Sequence, residues 1–389
     1  MERGDLESGA SLSRAIVVIS DFVEPQPSPA YVTPQDLPHR PEASTARNVP
    51  VLGGYLERLP LAAVRNGLAD FAEIWHHHRG NAPASLRESD MLTRRSFPMH
   101  GEAPFHSDSM IDFVRQHGAP AILAVWGLGV SEALLEACGE SFIIYNSIDA
   151  PSLRVPPEVS QHFDLVITGA QWQSDEVEAR HPGMQTAIMP IGPEFASPET
   201  FFPLAEIEKR FDVIYVAAAQ PYKRHDVLLN ALARSPRPLK ALCVIGYGED
   251  SDRLRHQAAE RGLDVEFVGP PGVSHAEVNR LMNAARVGVV CGVDDGAPAI
   301  LTEYMLAGLP VVANAELRCG LQYILPQTGI AVPGDRFEQG IIEALGRSDF
   351  SPRQTVLDRW TWPHSISKLA DLIAPVPALR AQHAQLELV

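Results

Sequence analysis

The stretch "VGVVCGVDDGAPAILTEYMLAGLPVVAN", residues 287–314, decides the fold. It opens with an apolar run of strand length, turns between Gly292 and Gly296, and continues in a segment of helical period. Pro298 opens that segment at the first helical position and Gly308 closes it, before the chain re-enters an apolar run at "PVVAN". Strand, helix and strand in so short a span predict a βαβ unit of a parallel sheet, with both strands covered on both faces. Two carboxylates, Asp295 and Glu303, flank the start of the helix. The carboxyl ends of the strands, where this helix starts, are where open α/β sheets bind ligands.

Working outward, the same alternation continues. Strands are predicted at 212–217, 241–245 and 265–269, separated by the helical segments "HDVLLNALARS", "DSDRLRHQAAERG" and "SHAEVNRLMNAAR". The first half repeats the pattern less cleanly, with strands at 15–20, 121–126, 142–146, 164–168 and 186–191. Helices are predicted through "LAAVRNGLADFAEIW" (61–75), "MIDFVRQHG" and "VSEALLEAC". Between the first strand and the rest, residues 24–50 carry seven prolines from Pro25 to Pro50 and read as a long loop bordering a binding site. The expected class is α/β, with two Rossmann-like doubly wound domains facing a central cleft. The expected domains are 1–195 and 196–349, hinged over 192–210, with helices over 350–389 closing back on the first.

Composition narrows the function. With 389 residues, 45% of them hydrophobic, the chain can build two cores. The apolar run at 121–130 is half the length of a membrane-spanning helix, and the start "MERGDLESGA" has no signal-peptide pattern, so a soluble, cytoplasmic protein is expected. Cys138, Cys243, Cys291 and Cys319 are far apart and read as buried, reduced thiols. The net charge is −16, and up to Glu194 there are 25 acidic against 13 basic residues. That balance excludes nucleic acid and anionic lipid surfaces as partners of the first half.

Chemistry concentrates around the opening stretch. The helix start offers backbone N–H groups to an anionic or hydroxyl-rich ligand. Glu303, placed about a turn and a half in, is too far along to cap, while Ile300, Leu301, Tyr304 and Met305 form the expected buried stripe. Its carboxylate can accept two hydrogen bonds from a diol such as a ribose.

At these residues the chain resembles the retaining glycosyltransferases of GT-B fold, in particular glycosyltransferase family 4, whose nucleotide-sugar site carries an E-x7-E motif. "DGAPAILTEYMLAGLPVV" matches the Gly, Pro, second Glu, Ala, Gly and Pro-Val positions, with Asp295 in place of the first glutamate. The resemblance extends over 211–348. "YVAAAQPYKRHDVLLNAL" has Lys223, one of only four lysines, at the family's lysine position, but Ala217 and Ala218 where Gly and Arg are usual. It is weak in the first half, where a Gly-rich loop after the first strand is not evident and "AVWGLG" occupies the region of the family's histidine.

The resemblance implies that Lys223 neutralises a diphosphate leaving group and Glu303 binds the ribose. It further implies that Asp295, with Gly296, Ala297 and Pro298, holds the donor sugar, and that Arg224 offsets the missing arginine. It implies no cofactor and no metal. The partners are a nucleotide-sugar donor and a small, neutral or cationic soluble acceptor bound by the acidic first domain; a homodimer is compatible with this reading. A nucleotide-sugar epimerase of the same fold and a non-catalytic sugar-nucleotide-binding subunit are the alternatives.

Other motifs read more plainly. Asp250-Ser251-Asp252 has the form of a metal-holding D-x-D but fits acidic residues at a helix start. His76, His77 and His78 read as the end of a helix, and "GYGED" (246–250) lacks the third glycine of a dinucleotide fingerprint. His100 and His106 are further candidates for substrate contact.

Overall fold

The computed structural model describes residues 11–24, 48–148 and 151–374. Most of the Pro-rich segment 24–50, and the chain after 374, lie outside the described residues. The chain forms two units, one of Met1–Met189 with Ser365–Val389 and one of Pro190–His364. The segment 192–210 and the helix Pro352–Arg359 fall in the second unit, and the helix Trp362–Ile373 runs across the boundary at Ser365.

The first unit is an eight-stranded sheet of β1 (Ala15–Glu24), β2 (Phe71–His78), β3 (Ala84–Arg87), β4 (Leu92–Pro98), β5 (Ile122–Trp126), β6 (Phe142–Asn146), β7 (Leu165–Thr168) and β8 (Gln185–Ile188). The strand order is β3-β4-β2-β1-β5-β6-β7-β8, and every pairing is parallel except β3 with β4. "ILAVW", "FIIYN" and "LVIT" are buried throughout, as strands covered on both faces must be. Leu123, Val125, Ile143, Tyr145 and Val166 join one core cluster with residues of the helices Asp108–His117 and Glu132–Ala137.

Two expectations for this unit are corrected. The helix predicted over 61–75 is a helix at Tyr55–Arg65, holding Pro60 within it, followed by strand β2. His76–His78 therefore end a fully buried strand and not a helix. "FAEIWHHH" is buried on both faces, so it carries no period-2 alternation to announce a strand. Strands β3 and β4 were missed for a related reason: "LTRRSFP" places Arg94 and Arg95 inside the sheet, each neutralised by carboxylates from other elements.

The second unit is a six-stranded, all-parallel sheet of β9 (Phe211–Val216), β10 (Ala241–Val244), β11 (Val265–Val268), β12 (Ala285–Val290), β13 (Val311–Asn314) and β14 (Gly329–Val332). The order is β11-β10-β9-β12-β13-β14. β14 alone was not anticipated, being four residues long and only partly buried. The chain winds outward from β9 to one edge and then returns beside β9 to build the other edge, which creates a topological switch point between β9 and β12. Core clusters lie on both faces, one with Ile214, Leu242 and Tyr304, the other with Val213, Cys243, Val289 and Phe337. All four cysteines are buried and free, and burial pushes the Cys138 and Cys243 thiols up to about 12. Among the described residues no helix is long and apolar enough to cross a membrane.

Candidate functional site

Two loops leave the carboxyl ends of β9 and β12 and meet at the switch point. The first contains the 3₁₀ turn Pro221–Lys223, and the second runs from Cys291 to Ala299. They approach so closely that a Cβ at Gly292 would stand 3.1 Å from the carbonyl oxygen of Tyr222. A side chain there would push apart the loops that carry Lys223 and Asp295.

Lys223 Nζ and Asp295 Oδ2 form an ion pair, with side chains 20% and 14% exposed. Burial pulls the Lys223 ammonium down, but the Asp295 carboxylate and its hydrogen bond outweigh it, so the pKa stands above the ordinary lysine value. Nζ also lies 4.9 Å from the centroid of the Tyr222 ring. The main chain is pinned beneath by the Tyr215 hydroxyl, which donates to the carbonyl of Lys223 at 2.5 Å. Asp295 is fixed from its other oxygen, Oδ1, which accepts the N–H of Ala297 at 3.3 Å.

The helix after this loop is Ile300–Leu306, shorter than expected: Ala299 caps it and Pro298 precedes it, so Glu303 stands in its first turn. Ile300 is only partly buried; the buried stripe is Leu301, Tyr304 and Met305. Gly308, at φ +89°, ends the helix as anticipated. Tyr304 ties the helix to the sheet, its hydroxyl accepting the N–H of Val216 at 2.7 Å. The Thr302 hydroxyl donates to the carbonyl of Pro193 at 2.7 Å. Glu303 is thus held between two anchored neighbours, itself partly exposed.

Of the expected residues, the structure brings Lys223 into contact with Asp295, which also accepts the N–H of Ala297, and places Gly296 and Pro298 in the same loop. Arg224 departs from expectation. At φ +52° it turns its guanidinium to Asp226, with Nε and Nη2 each 3.0 Å from a carboxylate oxygen, and it stands half-exposed. Position 218 is a small residue at 8% exposure, and the next, Ala219, accepts the N–H of Asp250 at 3.0 Å. The Asp250 carboxylate is occupied by Arg253, which suits a helix start. Among the described residues, no three His, Cys, Asp or Glu side chains are grouped so as to hold a metal ion.

The first unit has a second polar cluster that sequence reasoning missed. Its switch point lies between β1 and β5; there Trp126 pairs with Asn146 across β5 and β6, and Ser20 and His76 follow the paired residues Ile19 and Trp75 on β1 and β2. Above them the helix Tyr55–Arg65 begins at the glycine pair Gly53–Gly54, where Glu57 accepts the N–H of Gly54 at 2.8 Å. Gly53 stands at φ +91° in that turn.

From Glu57 a chain of hydrogen bonds runs along the row. Arg94 pairs with Glu57 and Glu88 and lies 3.1 Å from His76 Nε2, and His76 Nδ1 lies 3.2 Å from the Ser20 hydroxyl. An arginine only donates, so Nε2 accepts and the ring proton sits on Nδ1, directed at Ser20. Burial, then the Arg94 charge, lowers His76 to about 4, which keeps the ring neutral. Beyond Ser20 the row changes character. Trp126 Nε1 and both polar atoms of the Asn146 side chain are buried without a hydrogen-bond partner. The signal for this row was present in "AVWGLG" and "HHH", but it emerges only once strand register aligns four distant residues.

Elsewhere in this unit, His106 lies between Ser131 Oγ (3.1 Å) and Asp108 (3.0 Å). His100 joins it through a single β-bridge. Neither meets the row.

Residues 196–345 match the family model described as glycosyl transferases group 1. Among solved structures, the chain resembles sucrose-phosphate synthase from Thermosynechococcus elongatus, at TM-score 0.63 and 17% identity over 93% of this chain and 98% of that one. It also resembles HepE from Anabaena, solved with UDP and glucose, at TM-score 0.62 and 13% identity over 93% and 100%. The pneumococcal O-GlcNAc transferase GtfA, solved with UDP and GlcNAc, is similar at TM-score 0.54 and 13% identity over 70% of this chain, which spans 61% of that one. A comparison with curated proteins by sequence finds no match. The likenesses show the fold, an α/β GT-B architecture of two parallel-sheet domains, of which the second carries the glycosyl transferases group 1 match.

Proposed function

We propose that the protein is a metal-independent, retaining glycosyltransferase of the family 4 type, moving a hexose from a nucleoside diphosphate sugar to a hydroxyl of a small soluble acceptor in the cytoplasm. The observation that carries this reading is the Lys223–Asp295 ion pair at the switch point of the second sheet. Open α/β sheets bind their ligands at such a point, and a lysine kept charged there suits a diphosphate. Residues 196–349 hold the donor in this reading, with Glu303 on the ribose and the loop of Asp295, Gly296, Ala297 and Pro298 at the sugar. Arg224, paired with Asp226 across a half-exposed contact, adds a second positive charge beside Lys223 in this reading.

In the reaction, the acceptor oxygen bonds to the anomeric carbon as the bond from that carbon to the β-phosphate oxygen breaks on the same face. The acceptor's proton passes to the departing phosphate. Lys223 stabilises the negative charge that grows on that phosphate, which is the electrostatic contribution an enzyme of this kind needs most. Acceptor binding falls to residues 1–195. The unpartnered Trp126 N–H and Asn146 amide, two donors and an acceptor, suit a hydroxyl group, and the acidic balance of this half favours a neutral or amine-bearing molecule.

The test is turnover of UDP-, GDP-, ADP- and dTDP-hexoses with a panel of aminocyclitol and polyol acceptors, with product anomers read by NMR. Transfer that retains the donor's anomeric configuration, persists in EDTA and is lost in Lys223→Ala supports the proposal. Inverted product overturns the retaining mechanism, and conversion of the donor without any acceptor points to an epimerase. Undiminished turnover in Lys223→Ala overturns the site.

A further inference from the structure

The ion pair at the switch point of the second sheet sets a condition on any diphosphate that uses Lys223. Among the described residues, Asp295 is the only carboxylate paired with Lys223. Both side chains stand partly open to solvent. The other acidic residues nearby are engaged elsewhere: Asp226 pairs with Arg224, and Asp294, 58% exposed, faces Arg318 at 3.7 Å. The carboxylate that a phosphate meets at Nζ is therefore that of Asp295.

An ammonium has three N–H groups, so hydrogen bonding alone would let it hold both anions. Charge and space do not. A diphosphate is multiply negative, and its repulsion from a carboxylate on the same nitrogen is strong where water is partly excluded. The Tyr222 ring, with its centroid 4.9 Å from Nζ, already takes one side of the ammonium. The main chain gives little relief. The Tyr215 hydroxyl holds the Lys223 carbonyl, and the contact of Gly292 with Tyr222 closes the two loops on each other. The second tether of Asp295 is the weaker one, a 3.3 Å bond from the Ala297 N–H to Oδ1, so the carboxylate is the group that yields.

We propose that Asp295 makes the site select donor over product: a diphosphate gains Lys223 only by displacing the Asp295 carboxylate, and only a ligand that also carries a sugar gives that carboxylate new partners. The inference rests on the donor reading above, which sets the sugar beside Asp295. With a nucleoside diphosphate sugar bound, the sugar hydroxyls donate to the displaced carboxylate and offset the lost ion pair. The nucleoside diphosphate left after transfer has no such hydroxyls, so Asp295 competes with it for Lys223 and favours its departure. Product release is a step that limits turnover in many enzymes, and a competing carboxylate built into the site speeds it.

The experiment is calorimetric titration of the full chain with inorganic pyrophosphate, with UDP, GDP, ADP and dTDP, and with their glucose conjugates. Asp295→Asn should bind pyrophosphate and the preferred nucleoside diphosphate about tenfold tighter than the wild type, as for removal of a close like charge. The matching glucose conjugate should change by less than about threefold, because the variant loses sugar hydrogen bonds along with the competitor. Asp294→Asn removes the same charge one residue away, on the Arg318 side, and should move every ligand by less than about twofold. A crystal structure of the wild type with pyrophosphate needs no variant: a phosphate oxygen on Nζ with Asp295 turned away supports the inference, and both anions on Nζ overturn it. Diphosphates bound alike by wild type and Asp295→Asn overturn it and leave the donor site standing. Equal tightening in Asp294→Asn, or equal tightening of the diphosphate and its glucose conjugate, also overturns it. Pyrophosphate that tightens as expected while no nucleotide binds overturns the donor reading and leaves the competition at Lys223, whereas failure of every ligand overturns both.

Discussion

At the switch point of the carboxyl-terminal sheet, β9 and β12 deliver Lys223 and Asp295 to each other on partly exposed loops. At that of the amino-terminal sheet, β1 and β5 deliver Ser20 and Trp126, buried and uncharged. The two sheets share the order in which a central strand is laid down first and the chain then builds to either side. Topology therefore creates the place, and the side chains delivered there choose the chemistry. A charge pair suits an anionic diphosphate, while neutral donors and an acceptor suit a hydroxyl.

The comparison breaks most sharply at Lys223. Lys223→Ala should lower kcat/KM by about 10²–10³, the scale of removing one preorganised charge-stabilising donor, while the unfolding midpoint stays near wild type. Steady-state kinetics with saturating acceptor reads this directly, and a loss under tenfold would place the chemistry elsewhere.

Both units should respond to acid. His76 in the first and His225 in the second are each lowered to about 4, chiefly by burial. An unfolded chain takes up protons near the ordinary value of about 6.5, before the folded one does. Each ring therefore contributes stability that is complete above pH 6.5 and is lost as pH falls through 4, on the order of 2–3 kcal/mol apiece. Urea unfolding from pH 7 to pH 4 checks the window. His76→Gln and His225→Gln should each flatten part of the slope.

Smaller effects separate the two ends of the reaction. Glu303→Gln should raise donor KM by about tenfold with little change for the acceptor, as expected for weakening a charged hydrogen-bond acceptor. Asn146→Ala should do the reverse, raising acceptor KM by a few-fold, about 1 kcal/mol, and leaving donor KM unmoved. Crossed results would exchange the roles of the two switch points.

Legibility in the sequence followed the same divide. The second sheet was readable because "DVIYVA", "ALCVI" and "VGVVC" are short apolar runs separated by amphipathic helices, and a glycine or proline marks the ends of the helix that follows Asp295. The first sheet hid two features. β2 is buried on both faces and ends in three histidines whose neutrality depends on burial, and β4 carries two arginines whose carboxylate partners come from a helix, a neighbouring strand and a loop. Period and propensity see neither, because tertiary pairing alone makes such residues compatible with a sheet interior. The turn and helix that carry Asp295 and Glu303 were legible from their glycine and proline, and Lys223 lies where a loop between strand and helix was expected. The turning away of Arg224 was not, because it depends on a left-handed backbone at that residue and on the nearness of Asp226.

The most direct measurement is nucleotide binding to the wild type and to Lys223→Ala, read as the shift in unfolding with UDP, GDP, ADP and dTDP. The switch point of the second sheet as a diphosphate site predicts that at least one nucleotide, at about a hundred times its Kd, adds roughly 2.7 kcal/mol of stability to the wild type. It predicts that most of this gain disappears in Lys223→Ala. Stability unmoved by every nucleotide, or an equal gain in the variant, would contradict it.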